Sequence, residues 1–190
     1  MDPITEYIIQ EGSVLSDKDI AVRLSEFESG KNNKLLIFGV SGAGKTTLGE
    51  MLSKRYKVKW ISLDSMWWRL KQKYFKNVDE NKEELRKKVL QFATVALKSN
   101  ERLIIEGVDL LDIYKKNPKL ITKHSMIILG LSSLRAGIRA GIRNVKRGGE
   151  GWKELYWMPK INLTMVEPVV KKLRKDVSKM PDAKITGYEV

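Results

Sequence analysis

A chain of 190 residues, 42% of them hydrophobic, is long enough to bury one α/β core, and it carries a formal net charge of +13. The absence of cysteine and the single His124 exclude disulfides, thiolate metal sites and a histidine-based zinc site. No apolar stretch approaches the roughly 18 residues of a membrane span, and Met1-Asp2-Pro3 lacks the layout of a secretory leader, so a soluble, intracellular (cytoplasmic) protein is expected.

The first 33 residues hold two short amphipathic patterns, Thr5 to Glu11 and Leu15 to Phe27, the second opened by Ser16 as an N-cap; they read as a helical extension ahead of the core domain over 34–190. Lys34 to Val40 is a continuous apolar run of strand length, followed by a glycine-rich turn and a helical stretch from Lys45 to Tyr56. The rhythm repeats. Val58 to Leu63 reads as a strand, Glu83 to Lys98 as a helix, Arg102 to Glu106 as a strand, Leu110 to Thr122 as a helix ending near Pro118, Ser125 to Leu131 as a strand and Ser132 to Arg147 as a helix. Gly148 to Lys160, with Gly148, Gly149, Gly151, Trp152, Trp157 and Pro159, breaks the rhythm and reads as a mobile lid. A last helix within Ile161 to Ser178 and a fifth strand over Ala183 to Val190 complete the expectation. Alternating strands and helices predict an α/β fold, a five-stranded parallel sheet covered by helices on both faces.

Gly39-Val40-Ser41-Gly42-Ala43-Gly44-Lys45-Thr46 has the spacing of a phosphate-binding loop (P-loop, Walker A). Its glycines permit left-handed dihedrals and close approach, so backbone N–H groups wrap around phosphate oxygens while the next helix points its N-terminus at the same anion. Gly39, Ser41, Gly42, Ala43, Gly44, Lys45, Thr46 and Thr47 are therefore the expected ATP-binding residues, with Lys45 on the β and γ phosphates and the Thr46 hydroxyl on magnesium. Ligands sit beyond the carboxyl ends of parallel strands. Asp64 follows the second strand and Glu106 ends the third, so Asp64 is placed to take a proton from an acceptor hydroxyl and Glu106 to join the magnesium shell, Asp109 standing close enough to replace Glu106.

Arg135, Arg139, Arg143 and Arg147 recur every four residues, a stripe about 120° wide on a helix. Leu134, Ile138 and Ile142 run parallel to it about 100° away and are expected to pack on the sheet, leaving the arginines at the cleft. Arg135 and Arg139 would join Lys45 and Asp64 as catalytic residues by stabilising charge on a transferring phosphoryl group, and Arg143 would hold substrate. Trp67 and Trp68 are neighbours that cannot share one helix face, so one ring is expected at the acceptor cleft, where it can stack on a base. Trp152 and Trp157 offer rings in the lid, and His124 reads as structural.

The phosphate loop, Leu63-Asp64-Ser65-Met66-Trp67-Trp68 after the second strand, Ile104-Ile105-Glu106-Gly107 at the third and an arginine-rich helix before a lid resemble the nucleoside and nucleotide kinase branch of P-loop NTPase-fold proteins, over roughly residues 34–178. The chain is similar also to the small kinase-like topology modulation proteins. The resemblance implies a five-stranded parallel core, ATP as donor, an acceptor site beyond the second strand and a closing lid with arginines. Glu106 departs from the Asp of many relatives, and the N-terminal extension has no counterpart. The acceptor does not transfer with the resemblance. The positive charge favours a hydroxyl on nucleic acid, DNA above all, as for a phage-type kinase acting on 5-hydroxymethyluracil in DNA or a polynucleotide end kinase. The alternatives are a free nucleoside or nucleotide, with the charge serving solubility, and an ATP-gated module without catalysis.

Overall fold

The computed structural model describes residues 3–10, 24–74, 82–129, 133–146 and 151–178. In chain order the elements are α1 (Pro3–Gln10), a helical segment over 24–28, β1 (Lys34–Phe38), α2 (Lys45–Tyr56), β2 (Lys59–Ser62), α3 (Leu63–Tyr74), α4 (Lys82–Lys98), β3 (Leu103–Glu106), α5 (Leu110–Lys116), α6 (Pro118–Thr122), β4 (Ser125–Ile128), α7 (Ser133–Lys146), α8 (Gly151–Ile161), a π-helical turn (Asn162–Val166) and α9 (Glu167–Ser178). Among the described residues the sheet has four strands in the order β2-β3-β1-β4, all parallel. This is the α/β, phosphate-loop fold expected. The fifth strand expected over Ala183–Val190 lies outside the described residues, as do Ser16, Arg147, Gly148 and Gly149.

Period-two alternation explains how the sheet is covered on both faces. Leu36 and Phe38 of β1, Ile105 of β3 and Met126 and Ile128 of β4 enter one core layer with α4, α5, α6 and α9. Leu35 and Ile37, Ile104 and Ile127 enter the other with α2. Ile4 of α1 and Leu24 and Phe27 of the helical segment are buried in that second layer, so part of the N-terminal segment packs in the core. Arg102 fixes the segment further: its guanidinium lies 4.5 Å from the centre of the Phe27 ring and donates to the carbonyls of Phe27 and Glu28.

Several expected elements take a different form. Leu110 to Thr122 divides into α5 and α6 at Asn117 and Pro118, because proline at the first helical position lacks the N–H that continuation needs, while the Asn117 side chain accepts from Leu120 N at 3.3 Å. The segment expected as a lid is helical over Gly151–Ile161. The last helix is interrupted by the π-helical turn, in which Glu167 N reaches back to Asn162 O.

The expected packing of α7 is overturned. Leu134, Ile138 and Ile142 are exposed, and Ala136, Gly137, Ala140 and Gly141 are buried in their place. The reason is distance. A Cβ on Gly137 would stand 2.4 Å from Pro159 Cα of α8, and a Cβ on Gly42 would stand 2.0 Å from the Ala136 carbonyl oxygen, so only a face of small residues fits between the phosphate loop and α8. Gly137→Ala is expected to destabilise the protein by about 1–3 kcal/mol, although alanine is the better helix former, because backbone must move. Ile138→Gln should stay within about 0.5 kcal/mol of wild type. Urea unfolding of the two variants measures the contrast.

Candidate active site

The segments that follow β1 and β2 open on one cavity of about 460 Å³, lined by Tyr7, Gly42, Gly44, Lys45, Thr46, Thr47, Asp64, Ser65, Trp68, Arg139 and Arg143. Gly39, Gly42 and Gly44 have φ of 154°, 87° and 88°, the left-handed region that turns successive amides toward a common centre. The N-terminus of α2 opens on the same cavity.

Lys45 is buried and donates to the carbonyls of Gly39 at 3.1 Å and Val40 at 3.2 Å, which tucks its ammonium inside the loop. Asp64 Oδ2 lies 4.0 Å from that ammonium. Its other oxygen accepts from Val108 N at 3.2 Å, an approach that Gly107 permits, because a Cβ at residue 107 would lie 3.2 Å from Asp64 Oδ1 and 2.7 Å from Leu63 Cβ. The carboxylate is therefore held from the loop after β3 while one oxygen faces the cavity. In the sequence Trp67 and Trp68 read as helical neighbours without set bounds; the helix begins at Leu63 and carries Asp64 in its first turn.

Glu106 is fully buried and accepts from the Thr46 hydroxyl at 3.2 Å through Oε1, whereas Oε2 has no hydrogen-bond partner among the described residues. Burial pushes its carboxyl up from the ordinary value, the Lys45 ammonium pulls it back, and Asp64 pushes it further up. A buried carboxylate oxygen left over beside a threonine hydroxyl suits a cation. No cluster of three or more His, Cys, Asp or Glu side chains that could hold a metal occurs among the described residues, so a magnesium ion here would complete its shell with phosphate oxygens and water.

Asp109 stands at the N-cap of α5 without making a side-chain cap bond, and is not part of the cavity lining. Burial, then Asp64 and Asp112, push its carboxyl up to about 6, with Arg86 pulling against them. Trp67 packs on the core and meets Trp68 edge to face with ring centres 5.2 Å apart, and Trp68, 43% exposed, is the ring that reaches the cavity. Arg139 and Arg143 reach it from α7, Arg143 donating to the Ser41 hydroxyl at 3.4 Å. Arg135 is exposed and does not line the cavity. Trp157 carries the Lys160 ammonium 4.9 Å from its ring centre, away from the cavity lining; the side chain of Trp152 lies outside the described residues. His124 sits at the far, amino end of β4, where burial and then Lys123 and Lys34 depress it to about 4.

Two contributors escape a reading of the sequence. Asn162, fully buried in the π-helical turn, accepts from Ser41 N at 3.2 Å and donates to Ser41 O at 2.9 Å, so both peptide units at Ser41 are held by one side chain. Tyr7 donates its hydroxyl to Gly44 O at 3.1 Å. Neither has a local signal, since each is defined by a partner far along the chain.

Asp109 supplies a pH test. With a folded value of about 6 against an ordinary 3.8, the folded protein holds the extra proton between those limits, so this group's contribution to stability falls as pH rises from about 4 to about 6. Asp109→Asn should therefore be more stable than wild type by about 1–3 kcal/mol at pH 7, with the difference vanishing below about pH 4. Chemical unfolding at several pH values measures it.

The sequence matches no protein-family model and no curated protein. Among solved structures, the chain is similar to a deoxyadenosine kinase from M. mycoides with dCMP and dCDP bound, at 19% identity and a TM-score of 0.48, over 82% of this chain and 90% of that one. It is similar also to shikimate kinase from Bacteroides thetaiotaomicron, at 18% identity and a TM-score of 0.39, over 80% of this chain and 83% of that one.

Proposed function

We propose that the protein is an ATP- and magnesium-dependent phosphotransferase that moves the γ-phosphoryl group to a hydroxyl. The observation that carries this reading is the set of groups at the mouth of the loop: Lys45, Thr46 and Glu106 on one side, and Asp64 Oδ2 4.0 Å from the Lys45 ammonium on the other. A switch or scaffold needs the loop alone. A carboxylate held beside the loop lysine and open to the cavity is what proton removal from an acceptor needs.

In this reading Lys45 turns from the loop carbonyls to the β and γ phosphates, and Thr46 and Glu106 hold magnesium, which neutralises charge on the phosphate chain when bound. Asp64 orients the acceptor hydroxyl and takes its proton. The acceptor oxygen bonds to the γ-phosphorus, the bond to the β–γ bridging oxygen breaks, and ADP leaves. Arg139 and Arg143 stabilise the transferring group from the α7 side. Trp68 presents a flat ring to the acceptor. Arg135, exposed and off the cavity lining, has no part in this arrangement.

The net charge of +13 favours an acceptor hydroxyl on nucleic acid, DNA above all, for which a hydroxymethylated pyrimidine taken out of the stack onto Trp68 is the concrete form. One observation favours a second reading. Arg139 and Arg143 line the cavity together with Asp64 and Trp68, an arrangement that suits a free nucleotide whose phosphate meets the two arginines while its base meets the ring.

With γ-labelled ATP and a panel of nucleosides, mononucleotides, plain DNA and hydroxymethylated DNA, the label should reach one acceptor class. Lys45→Ala should lower turnover by about 100-fold or more, and Asp64→Asn by about 100- to 10,000-fold with ATP binding retained. Full activity of both variants would remove this site from the reaction. On the nucleic-acid reading, the logarithm of DNA affinity falls linearly with the logarithm of salt concentration, with a slope of about −0.7 to −0.9 per phosphate neutralised. Undetectable DNA binding at about 50 mM salt, with a mononucleotide phosphorylated, selects the second reading.

A further inference from the structure

The N-terminal helix reaches the phosphate loop. Tyr7 lines the same cavity as Lys45, Thr46 and Asp64, and its hydroxyl donates to Gly44 O at 3.1 Å across 37 residues of sequence. That carbonyl also accepts from Leu48 N at 3.1 Å, the first turn of α2. Gly44 C=O and Lys45 N–H belong to one peptide unit, and the described chain has no cis peptide bond. In a planar trans peptide the two groups point in opposite directions. Whatever holds the Gly44 oxygen down the helix therefore aims the Lys45 N–H out of it, into the cavity. A carbonyl that accepts two hydrogen bonds also polarises its peptide unit, which makes the N–H on the other side a stronger donor. Gly44 itself sits at φ 88°, a glycine conformation with no side chain of its own to restrain it, so restraint must come from outside. Ile4, one turn before Tyr7, is buried in the core layer of α2 and anchors the helix that delivers the hydroxyl.

We propose that Tyr7 is a positioning residue of the phosphate loop. It acts through the Gly44–Lys45 peptide, so that the N-terminal helix sets how tightly the loop grips a phosphate chain. The inference rests on the reading of the loop as a triphosphate site.

The test is Tyr7→Phe, which keeps the ring and its packing and removes only the donor. Calorimetric titration with ATP and, separately, with inorganic tripolyphosphate, each with magnesium, is run on wild type and variant beside their thermal unfolding. The expected result is a loss of about three- to tenfold in affinity for both ligands by the same factor, because a loop no longer held must be ordered on binding, with the unfolding midpoint of the ligand-free protein lowered by no more than the few degrees that one hydrogen bond supplies. Turnover at saturating ATP should stay near wild type while KM rises. Equal affinities in wild type and variant overturn the inference and leave the nucleotide site standing. A loss for ATP without a loss for tripolyphosphate overturns it too, since the hydroxyl would then serve the nucleoside part. Wild type that binds neither ligand overturns the triphosphate reading of the loop, and this inference with it.

Discussion

A loop that offers its amides to a ligand cannot use those amides to hold itself in place. Gly39, Gly42 and Gly44 take up left-handed backbone that side chains would resist, and beyond the bond from Ala43 N to Val40 O and those of the Lys45 ammonium the same freedom calls for restraint from outside. The surrounding structure supplies it. Ala136 O stands where a Cβ on Gly42 would go, Asn162 holds both peptide units at Ser41, and Lys45 closes the ring from inside by bonding to the carbonyls of Gly39 and Val40. Much of what is unusual in the chain serves this constraint, from the alanine and glycine face of α7 to the π-helical turn that places Asn162. Widened turns of this kind place side chains where regular helical geometry would not, and they recur at functional sites.

The charges around the loop form a linked set. Glu106 is buried, Asp64 adds to its difficulty in ionising, and Lys45 relieves it. The lysine is thus tied to two carboxylates as well as to the loop carbonyls, 4.0 Å from Asp64 Oδ2. Drawing the ammonium toward phosphate would weaken its support for Glu106, and a divalent cation beside its carboxylate would restore it. If the site takes both, entry of the anion and entry of the cation would favour each other.

The strand, the loop and α2 are legible in the sequence because their signals are local: an unbroken apolar run, glycines at fixed offsets and a helix that starts at Lys45. The carboxylates at the ends of β2 and β3 are legible for the same reason, since strand ends in a parallel sheet point to one place. The orientation of α7 departs from the sequence reading because its sequence offers two inward stripes. Hydrophobicity favours Leu134, Ile138 and Ile142; the close approach to Gly42 and Pro159 favours Ala136, Gly137, Ala140 and Gly141, and distance decides. Helix α3 enters the sequence reading only through Trp67 and Trp68, neighbours that cannot share one helix face. They do separate, with Trp67 on the core and Trp68 at the cavity, because adjacent helical residues diverge by about 100°. Asn162 and Tyr7 carry no readable signal, as their partners lie 121 and 37 residues away.

That separation of 121 residues also orders events in time. A chain made from its amino end at about 5–20 residues per second exposes the loop roughly 6–24 s before Asn162 is joined to it. During that interval β1, the loop and α2 exist without the side chain that holds Ser41, and the pairing of β1 with β4 must also wait. Closure over so long a stretch costs more entropy than a local turn, although the cost grows slowly with length, and such non-local contacts are expected late in folding. The loop would then be among the first parts of the site to be synthesised and among the last to reach its final shape.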